Sequence, residues 1–142
     1  ELVENIYKIV PEMNLSQDMI AGFCGETEQD HQDTLDLMEK VKYSFGFMFA
    51  YSERPGTLAA KKMEDDIPLE VKKRRLQEII NLQQEHSLYR AKEHVGKVQE
   101  VLIEGTSKKS ENQWKGRNTQ NTVVVFPKEN YKIGDFVNVY KF

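Results

Sequence analysis

The segment from Lys108 to Phe126 combines side chains that could bind nucleic acid. Four cations surround a single glycine and one indole, and these residues are Lys108, Lys109, Lys115, Arg117 and Trp114. Lysine and arginine contact phosphates while bases stack on aromatic rings, so cations interleaved with an aromatic side chain favour nucleic-acid binding. A polar hairpin with a solvated charge cluster is the structural alternative, and composition alone leaves both open.

The distribution of charge supports local binding rather than a basic protein. The 142-residue chain has a net charge of −3, but residues 95–142 carry +3 and residues 1–94 therefore carry −6. Electrostatic fields are screened over about 10 Å at ordinary salt, so this local excess matters more than the total.

Two further motifs could contact a ligand. Gly22–Asp30 (GFCGETEQD) has glycines where a strand is predicted to turn into a helix, a place where backbone N–H groups can approach a ligand. A plain strand-to-helix turn is the alternative. Tyr51–Thr57 (YSERPGT) puts Arg54 at a predicted strand end, where it could bind a carboxylate or form a structural salt bridge.

Other catalytic chemistry finds little support. Cys24 has no histidine at metal-ligand spacing, which favours a small buried residue over a nucleophile or ligand. We expect no metal site and no catalytic residue in this chain. A single cysteine excludes an internal disulfide and indicates a reducing, cytoplasmic setting. No apolar run is long enough to span a membrane, and we expect no membrane partner.

The elements that would position these motifs follow from hydrophobic periodicity. A helix is predicted over residues 1–10, a short apolar strand over residues 17–23, a helix from Thr27 and a strand over residues 45–51. Apolar residues on both faces of the latter strand indicate a covered parallel sheet, so this segment is predicted to form a βαβ unit. One such unit needs neighbouring strands, so we expect the first half to be the last part of an α/β barrel or open sheet. The chain opens on Glu1 without Met, which we expect of a piece of a longer protein.

The second half begins with a long helix, predicted from Pro68 to about His94 with Leu69, Leu76, Ile79 and Ile80 on its inner face. Its charge run, residues 72–75, is expected to be a solvated face, and RNA binding is the alternative. Strands are then predicted at Val98–Glu104, 113–117, Thr122–Phe126 and Phe136–Tyr140, which indicates a small antiparallel barrel.

The motifs Gly22–Asp30, Tyr51–Thr57 and LIEGTSKKS…KGRNTQNTVVVFP together resemble the radical-SAM methylthiotransferases, and most closely the branch that modifies tRNA. The resemblance covers essentially the whole chain but about the C-terminal third of the family's full length. Cys24 replaces the family's usual proline, and Asn118 replaces its usual threonine.

The resemblance implies an α/β fold followed by a small all-β module. Residues 1–66 would be the last βαβ strands of a radical-SAM, partial TIM-like barrel, residues 67–94 a linking helix, and residues 95–142 a TRAM RNA-binding barrel, incomplete at its end. The implied full-length enzyme uses S-adenosylmethionine (SAM) and two four-iron four-sulfur clusters to add a methylthio group at C2 of N6-isopentenyladenosine beside the anticodon. The cluster ligands lie outside these residues, so the chain alone is expected to be inactive.

The resemblance also assigns site residues. Ile20, Gly22, Gly25, Ser52 and Arg54 would contact SAM, while Lys108, Lys109, Trp114, Lys115, Arg117 and Asn121 would meet a tRNA anticodon stem-loop. Proteins that supply sulfur or iron–sulfur clusters are further implied partners, and the exposed apolar strand is expected to make the chain self-associate. The alternatives are a ribosomal-protein methylthiotransferase and a non-catalytic RNA-binding module.

Overall fold

The computed structural model describes residues 1–141 and contains four helices and six strands in that range. In chain order they are α1 (Leu2–Ile9), β1 (Ser16–Ala21), α2 (Glu28–Val41), β2 (Phe45–Ala50), α3 (Leu58–Lys62), α4 (Leu69–Lys92), β3 (Val98–Ser107), β4 (Ser110–Asn118), β5 (Val123–Pro127) and β6 (Phe136–Tyr140). The chain divides into two compact units. One is Leu15–Lys92, and the other joins Glu1–Asn14 to the residues from Glu93 onward. The predicted domain boundaries after residues 66 and 94 stay predictions.

The unit Leu15–Lys92 contains the predicted strand–helix–strand arrangement. β1 and β2 pair in parallel from Ser16 opposite Phe45 to Ala21 opposite Ala50. Thr27 caps α2 through a reciprocal capping box with Asp30, which satisfies backbone N–H groups that the first turn leaves free. Met38 is fully buried and packs with Ala21 and Ile79 of α4. The βαβ prediction is therefore confirmed, while its place in a larger barrel stays a prediction.

The inner face of α4 is far more polar than the sequence pattern indicated. Ile79 is buried as predicted, but Leu69 is 60% exposed because it lies in the first turn of the helix. Five residues of α4 are buried, and four of them are polar or charged: Lys72, Arg75, Ile79, Gln83 and His86. The expectation that residues 72–75 form a solvated face is wrong for Lys72 and Arg75, which are each 4% exposed.

The other unit is built on a four-stranded antiparallel sheet with the strand order β5-β4-β3-β6. All four predicted strands are present, and β3 and β4 extend further than predicted to meet at a tight turn. One face of the sheet carries a core of Val101, Ile103, Trp114, Phe126 and Val137. The side chains of Asn118 and Gln99 are hydrogen-bonded to each other at the buried end of β4. An antiparallel β-module is thus confirmed; among the described residues β5 and β6 are the sheet edges and do not pair.

Close packing of the strand backbones requires a glycine at position 116 of this sheet. A Cβ atom on Gly116 would lie 2.3 Å from the carbonyl oxygen of Leu102 and 2.6 Å from Cγ1 of Val101. Any side chain there would push β4 away from β3, so Gly116 is required by packing rather than by backbone conformation. In the described part of the chain, no helix is both long and apolar enough to cross a membrane.

Candidate cofactor cavity and RNA interface

A cavity of about 780 Å³ lies on the face of the β1–β2 sheet that carries the phenylalanines of β2. Three residues predicted to contact SAM line it, namely Ile20, Ser52 and Arg54. Its walls are mostly apolar, with polar groups at a few points, which is the usual composition of a small-molecule site. The structure therefore brings these three predicted residues together around one space.

The cavity also contains residues that were not among the predicted SAM contacts. Asp18, Phe23, Phe47, Phe49 and Thr57 contribute to its lining. Asp18 pairs with Phe47 and Ile20 pairs with Phe49 in the parallel register, so their side chains share one face. Strand alternation was the signal that could have identified them, because Asp18 and Ile20 are two residues apart, as are Phe47 and Phe49.

The loop between β1 and α2, residues 22–27, uses its glycines differently from the prediction. Gly22 and Gly25 both have positive φ angles, 72° and 77°, a conformation that favours glycine. Their N–H groups are already occupied, since Gly22 donates to Oε2 of Glu26 at 2.6 Å and Gly25 donates to Oδ1 of Asp66 at 2.8 Å. In this structure the two glycines shape the loop and do not offer free backbone donors to a ligand.

Arg54 and Cys24, from the two N-terminal motifs, lie in different surroundings. Arg54 is exposed at the cavity and forms no salt bridge within residues 1–141, so the structural-salt-bridge interpretation lacks support there. Its guanidinium is free to pair with an anionic ligand group. Cys24 is 8% exposed, as expected of a small buried residue, and the described residues contain no group of three or more side chains placed to hold a metal ion.

The predicted RNA-binding residues of the other unit fall into three environments. Lys108 and Lys109 lie exposed at the β3–β4 turn, and neither forms an ion pair among the described residues. This turn therefore presents two adjacent cations that remain available to phosphates.

Lys115 and Arg117 lie side by side on β4 and share one acidic partner. Glu104 lies 3.5 Å from Nζ of Lys115 and 3.2 Å from Nε of Arg117. Asn121, which has a left-handed φ of 61°, accepts hydrogen bonds from Arg117 through its main-chain and side-chain oxygens at 2.9 and 3.1 Å. Asn121 thus orients Arg117, and Glu104 offsets part of the positive charge of this pair.

Trp114 occupies a different environment from the one that its predicted role requires. Its side chain is 7% exposed and belongs to the core of the sheet. Nζ of Lys128 lies 4.2 Å from the ring centroid, within the range of a cation–π interaction. The expectation that this indole stacks on a base is corrected, because the ring packs against Ile103 and Phe126 on the inner face of the strand.

Exposed aromatic rings are present on the opposite face of the same sheet. Arg117 pairs with Leu102, and Leu102 pairs with Phe136, so the three side chains lie in one row across β4, β3 and β6. Phe136 is 66% exposed, and Tyr140, further along the same strand, is 50% exposed. These rings, rather than Trp114, could stack on bases beside Arg117. They went unnoticed in the sequence because Phe136 is far from the cations along the chain.

Comparison with known proteins finds one matching domain family and several similar proteins. Residues 92–140, which contain strands β3 to β6 and the cationic turn, match the TRAM domain family. The chain as a whole is 64% identical over 138 residues, 97% of its length, to the tRNA-2-methylthio-N(6)-dimethylallyladenosine synthase of Flavobacterium johnsoniae. Synthases of the same name from Amoebophilus asiaticus and Phocaeicola vulgatus are 60% and 52% identical over 96% and 98% of this chain.

The chain matches only part of the length of each relative. The chain covers 29%, 28% and 30% of those three synthases, less than a third of their length, and it corresponds to their C-terminal part. The resemblance predicted from the motifs is therefore confirmed. The activity of the whole protein lies beyond what this segment carries by itself.

Proposed function

We propose that the chain is the C-terminal part of a cytoplasmic tRNA methylthiotransferase that adds a methylthio group at C2 of N6-dimethylallyladenosine next to the anticodon. The observation that carries this proposal is the 64% identity over 97% of the chain to a synthase named for that product. The TRAM match over residues 92–140 supports an RNA substrate. The unit Leu15–Lys92 would then belong to the catalytic barrel, and the other unit would hold tRNA.

The cavity on β1 and β2 fits SAM in its chemistry. Ile20 and Phe49 offer apolar surface for an adenine ring, and exposed Arg54 offers a cation for a carboxylate. Ser52 offers a hydroxyl at the same rim. Gly22 and Gly25 would contribute by shaping the adjacent loop, since their N–H groups are occupied. When bound, SAM would supply the radical chemistry and the methyl group.

The iron–sulfur clusters are assigned to the rest of the protein. Cys24 is the single cysteine of the chain and is buried, so these residues cannot supply a set of thiolate ligands. What this chain contributes to the proposed reaction is one wall of the SAM cavity and the surface that binds tRNA.

For tRNA, the proposed interface runs from the cationic turn to the outer face of the sheet. Lys108 and Lys109 would contact phosphates, while Arg117, held by Asn121, would lie beside the exposed ring of Phe136. Phosphate contacts position an RNA, and stacking on aromatic rings holds unpaired bases such as those of an anticodon loop. This interface positions the substrate and does not catalyse.

Binding of an anticodon stem-loop tests the RNA part of the proposal. We expect the 142-residue chain to bind a labelled stem-loop that carries N6-dimethylallyladenosine, with an affinity that falls steeply as salt increases. The double variant Lys108→Glu/Lys109→Glu should bind more weakly and lower the salt slope by about 1 for each phosphate that it no longer neutralises. The double variant Lys40→Glu/Lys61→Glu, at exposed positions of α2 and α3, makes the same change in charge and should bind like the unchanged chain.

The full-length protein tests the reaction. Expressed in cells that lack 2-methylthio-N6-dimethylallyladenosine, it should restore that nucleoside in tRNA digests analysed by mass spectrometry. Modification of a ribosomal protein with unchanged tRNA would instead identify the protein-modifying branch. Absence of stem-loop binding at low salt would overturn the RNA role of this chain.

A further inference from the structure

Two buried cations of α4 have their described charged partners in the loop after β1, at the start of α2 and in the segment before α4. Lys72 and Arg75 are each 4% exposed, whereas the intervening Lys73 and Arg74 lie on the surface of the helix. A buried charge is costly unless it is paired and hydrogen-bonded, so the partners of these two side chains indicate why the charges are there.

Arg75 binds the loop that follows β1. Its Nη1 donates to the main-chain oxygen of Glu26 at 2.9 Å and to Oε2 of Glu26 at 2.7 Å, and its Nη2 donates to Glu28 at 3.0 Å. The same Oε2 accepts the N–H of Gly22. One carboxylate oxygen therefore connects the helix to the left-handed turn that begins the loop.

Lys72 contacts Tyr51, the residue that follows β2, and Asp65, in the segment between α3 and α4. Its Nζ forms an ion pair with Asp65, lies 3.5 Å from the main-chain oxygen of Tyr51, and lies 5.1 Å from the centroid of the Tyr51 ring. The Tyr51 ring contacts Phe23 edge-on at 5.0 Å, and both residues line the cavity. Lys72 is thus separated from the cavity by a single layer of side chains.

The two loops are also connected through the same short segment. Asp65 holds Lys72, and its neighbour Asp66 accepts the N–H of Gly25 in the loop after β1. The stem of Lys72 fills the space beside Gly22, where a Cβ atom would lie 2.4 Å from Cγ of Lys72. Displacement of Lys72 would therefore disturb both loops, and displacement of Arg75 would disturb the loop after β1.

We infer that Lys72 and Arg75 are positioning residues for the cavity, which hold its two rim loops in the geometry that binds the cofactor. This inference rests on the proposed function, because it takes the occupant to be SAM. Buried ion pairs can often be replaced by apolar residues of similar volume without loss of stability. Their presence here is explained by the loop geometry that they specify, since small displacements in a binding site are costly to function.

The test uses the full-length protein loaded with its clusters. Lys72→Met and Arg75→Met keep most of the side-chain volume and remove the charge, and Lys73→Met, on the exposed face of the same helix, is the matched control. We expect each buried-site variant to raise the Kd and KM for SAM by about tenfold or more while the KM for tRNA stays unchanged. Lys73→Met should leave all three values unchanged, and Arg75→Lys should fail to restore SAM binding because one ammonium cannot reach Glu26 and Glu28 as the guanidinium does.

Folding is measured separately, by thermal melting and by hydrogen exchange of the peptide containing residues 22–27. Faster exchange in that peptide, with a melting temperature close to that of the unchanged protein, supports positioning. A decrease in SAM affinity that only follows the decrease in folded protein overturns it, as does SAM binding that is unchanged in both methionine variants. Failure of the unchanged protein to bind SAM would instead overturn the proposed function and this inference with it.

Discussion

Nζ of Lys128 lies 4.2 Å from the centroid of the Trp114 ring and also donates a hydrogen bond to Oγ1 of Thr106 at 3.2 Å. The cation covers one side of the indole while the core residues contact the rest. Since the ring is 7% exposed, its contribution is expected in the stability of the sheet rather than in contact with RNA.

Replacement of Trp114 tests this assignment. Trp114→Ala should lower the free energy of unfolding of the antiparallel sheet by about 3–5 kcal/mol, the usual cost of deleting a large buried aromatic side chain. Hydrogen exchange of the β3 peptide measures that free energy without relying on tryptophan fluorescence. Val125→Ala, 48% exposed on β5, is the control and should have a much smaller effect. Equal protection in the two variants would contradict a core role for the indole.

Phe136 provides the complementary prediction for RNA binding. Phe136→Ala should weaken binding of the anticodon stem-loop by about 1–3 kcal/mol if one base stacks on its exposed ring, with little change in the salt slope. Titration of the labelled stem-loop at two salt concentrations separates stacking from phosphate contacts. Ile133→Ala, which is 64% exposed in the segment before β6, should bind normally. Unchanged affinity in Phe136→Ala would mean that the outer face of the sheet does not stack on the loop.

Two glycines of the antiparallel sheet should respond very differently to the same substitution. Gly116→Ala puts a methyl group 2.3 Å from the Leu102 carbonyl oxygen and should destabilise the unit by about 1–3 kcal/mol or more. Gly105→Ala meets no heavy atom within 4 Å and should be nearly neutral. Urea unfolding followed by the fluorescence of Trp114 measures both variants. Equal stabilities would show that β3 and β4 can separate without cost at Gly116.

The sequence predicted the burial of apolar residues better than the burial of charged residues. Hydrophobic alternation and helical spacing correctly placed the strands, because apolar residues such as Met38 and Val101 bury themselves wherever the backbone allows. The same rule failed for Lys72 and Arg75, because hydrophobic periodicity does not reveal acidic partners: Asp65 lies 7 residues before Lys72, and Glu26 lies 49 residues before Arg75.

The predictions for the two candidate sites also differ in their outcome. Ile20, Ser52 and Arg54 were predicted as SAM contacts through the resemblance to the methylthiotransferases, and the structure places all three around one cavity. Trp114 was misassigned because a mixture of cations and an aromatic ring has the same composition whether the ring faces the core or the solvent. Only the register of β4, in which Trp114 lies opposite Phe126, distinguishes the two.

Carboxylates around α4 make the stability of the Leu15–Lys92 unit depend on pH. Hydrogen bonds from Arg74 and then Arg75 lower the pKa of Glu28 below its usual value of 4.5. A carboxyl group with a lowered folded-state pKa stabilises the fold above its unfolded pKa, and this contribution is lost as the pH falls through the folded-state value. Arg74→Gln should therefore be less stable than the unchanged chain near neutral pH, and the difference should shrink at pH values well below 4.5.

Urea unfolding monitored by far-UV circular dichroism at both pH values measures this convergence, because helices dominate the signal of that unit. Lys73→Gln removes a neighbouring surface charge that pairs with Glu70 instead, and it should show a smaller difference at neutral pH. A stability difference for Arg74→Gln that is constant with pH would contradict the role of the carboxylates.

The phenylalanine face of β2 leads to a prediction about association. Phe47 and Phe49 are 60% and 59% exposed, and Ile20 on the paired strand is 55% exposed, so they form one continuous apolar surface. Such a surface favours contact between copies of the chain, because burying it removes apolar area from water. Sedimentation velocity should show a weight-average mass that rises with concentration, and Phe47→Thr should reduce this rise while keeping a residue suited to a strand. Leu37→Gln removes an exposed apolar side chain from α2 and should leave association unchanged. A concentration-independent monomer for the unchanged chain would show that this face does not drive self-association.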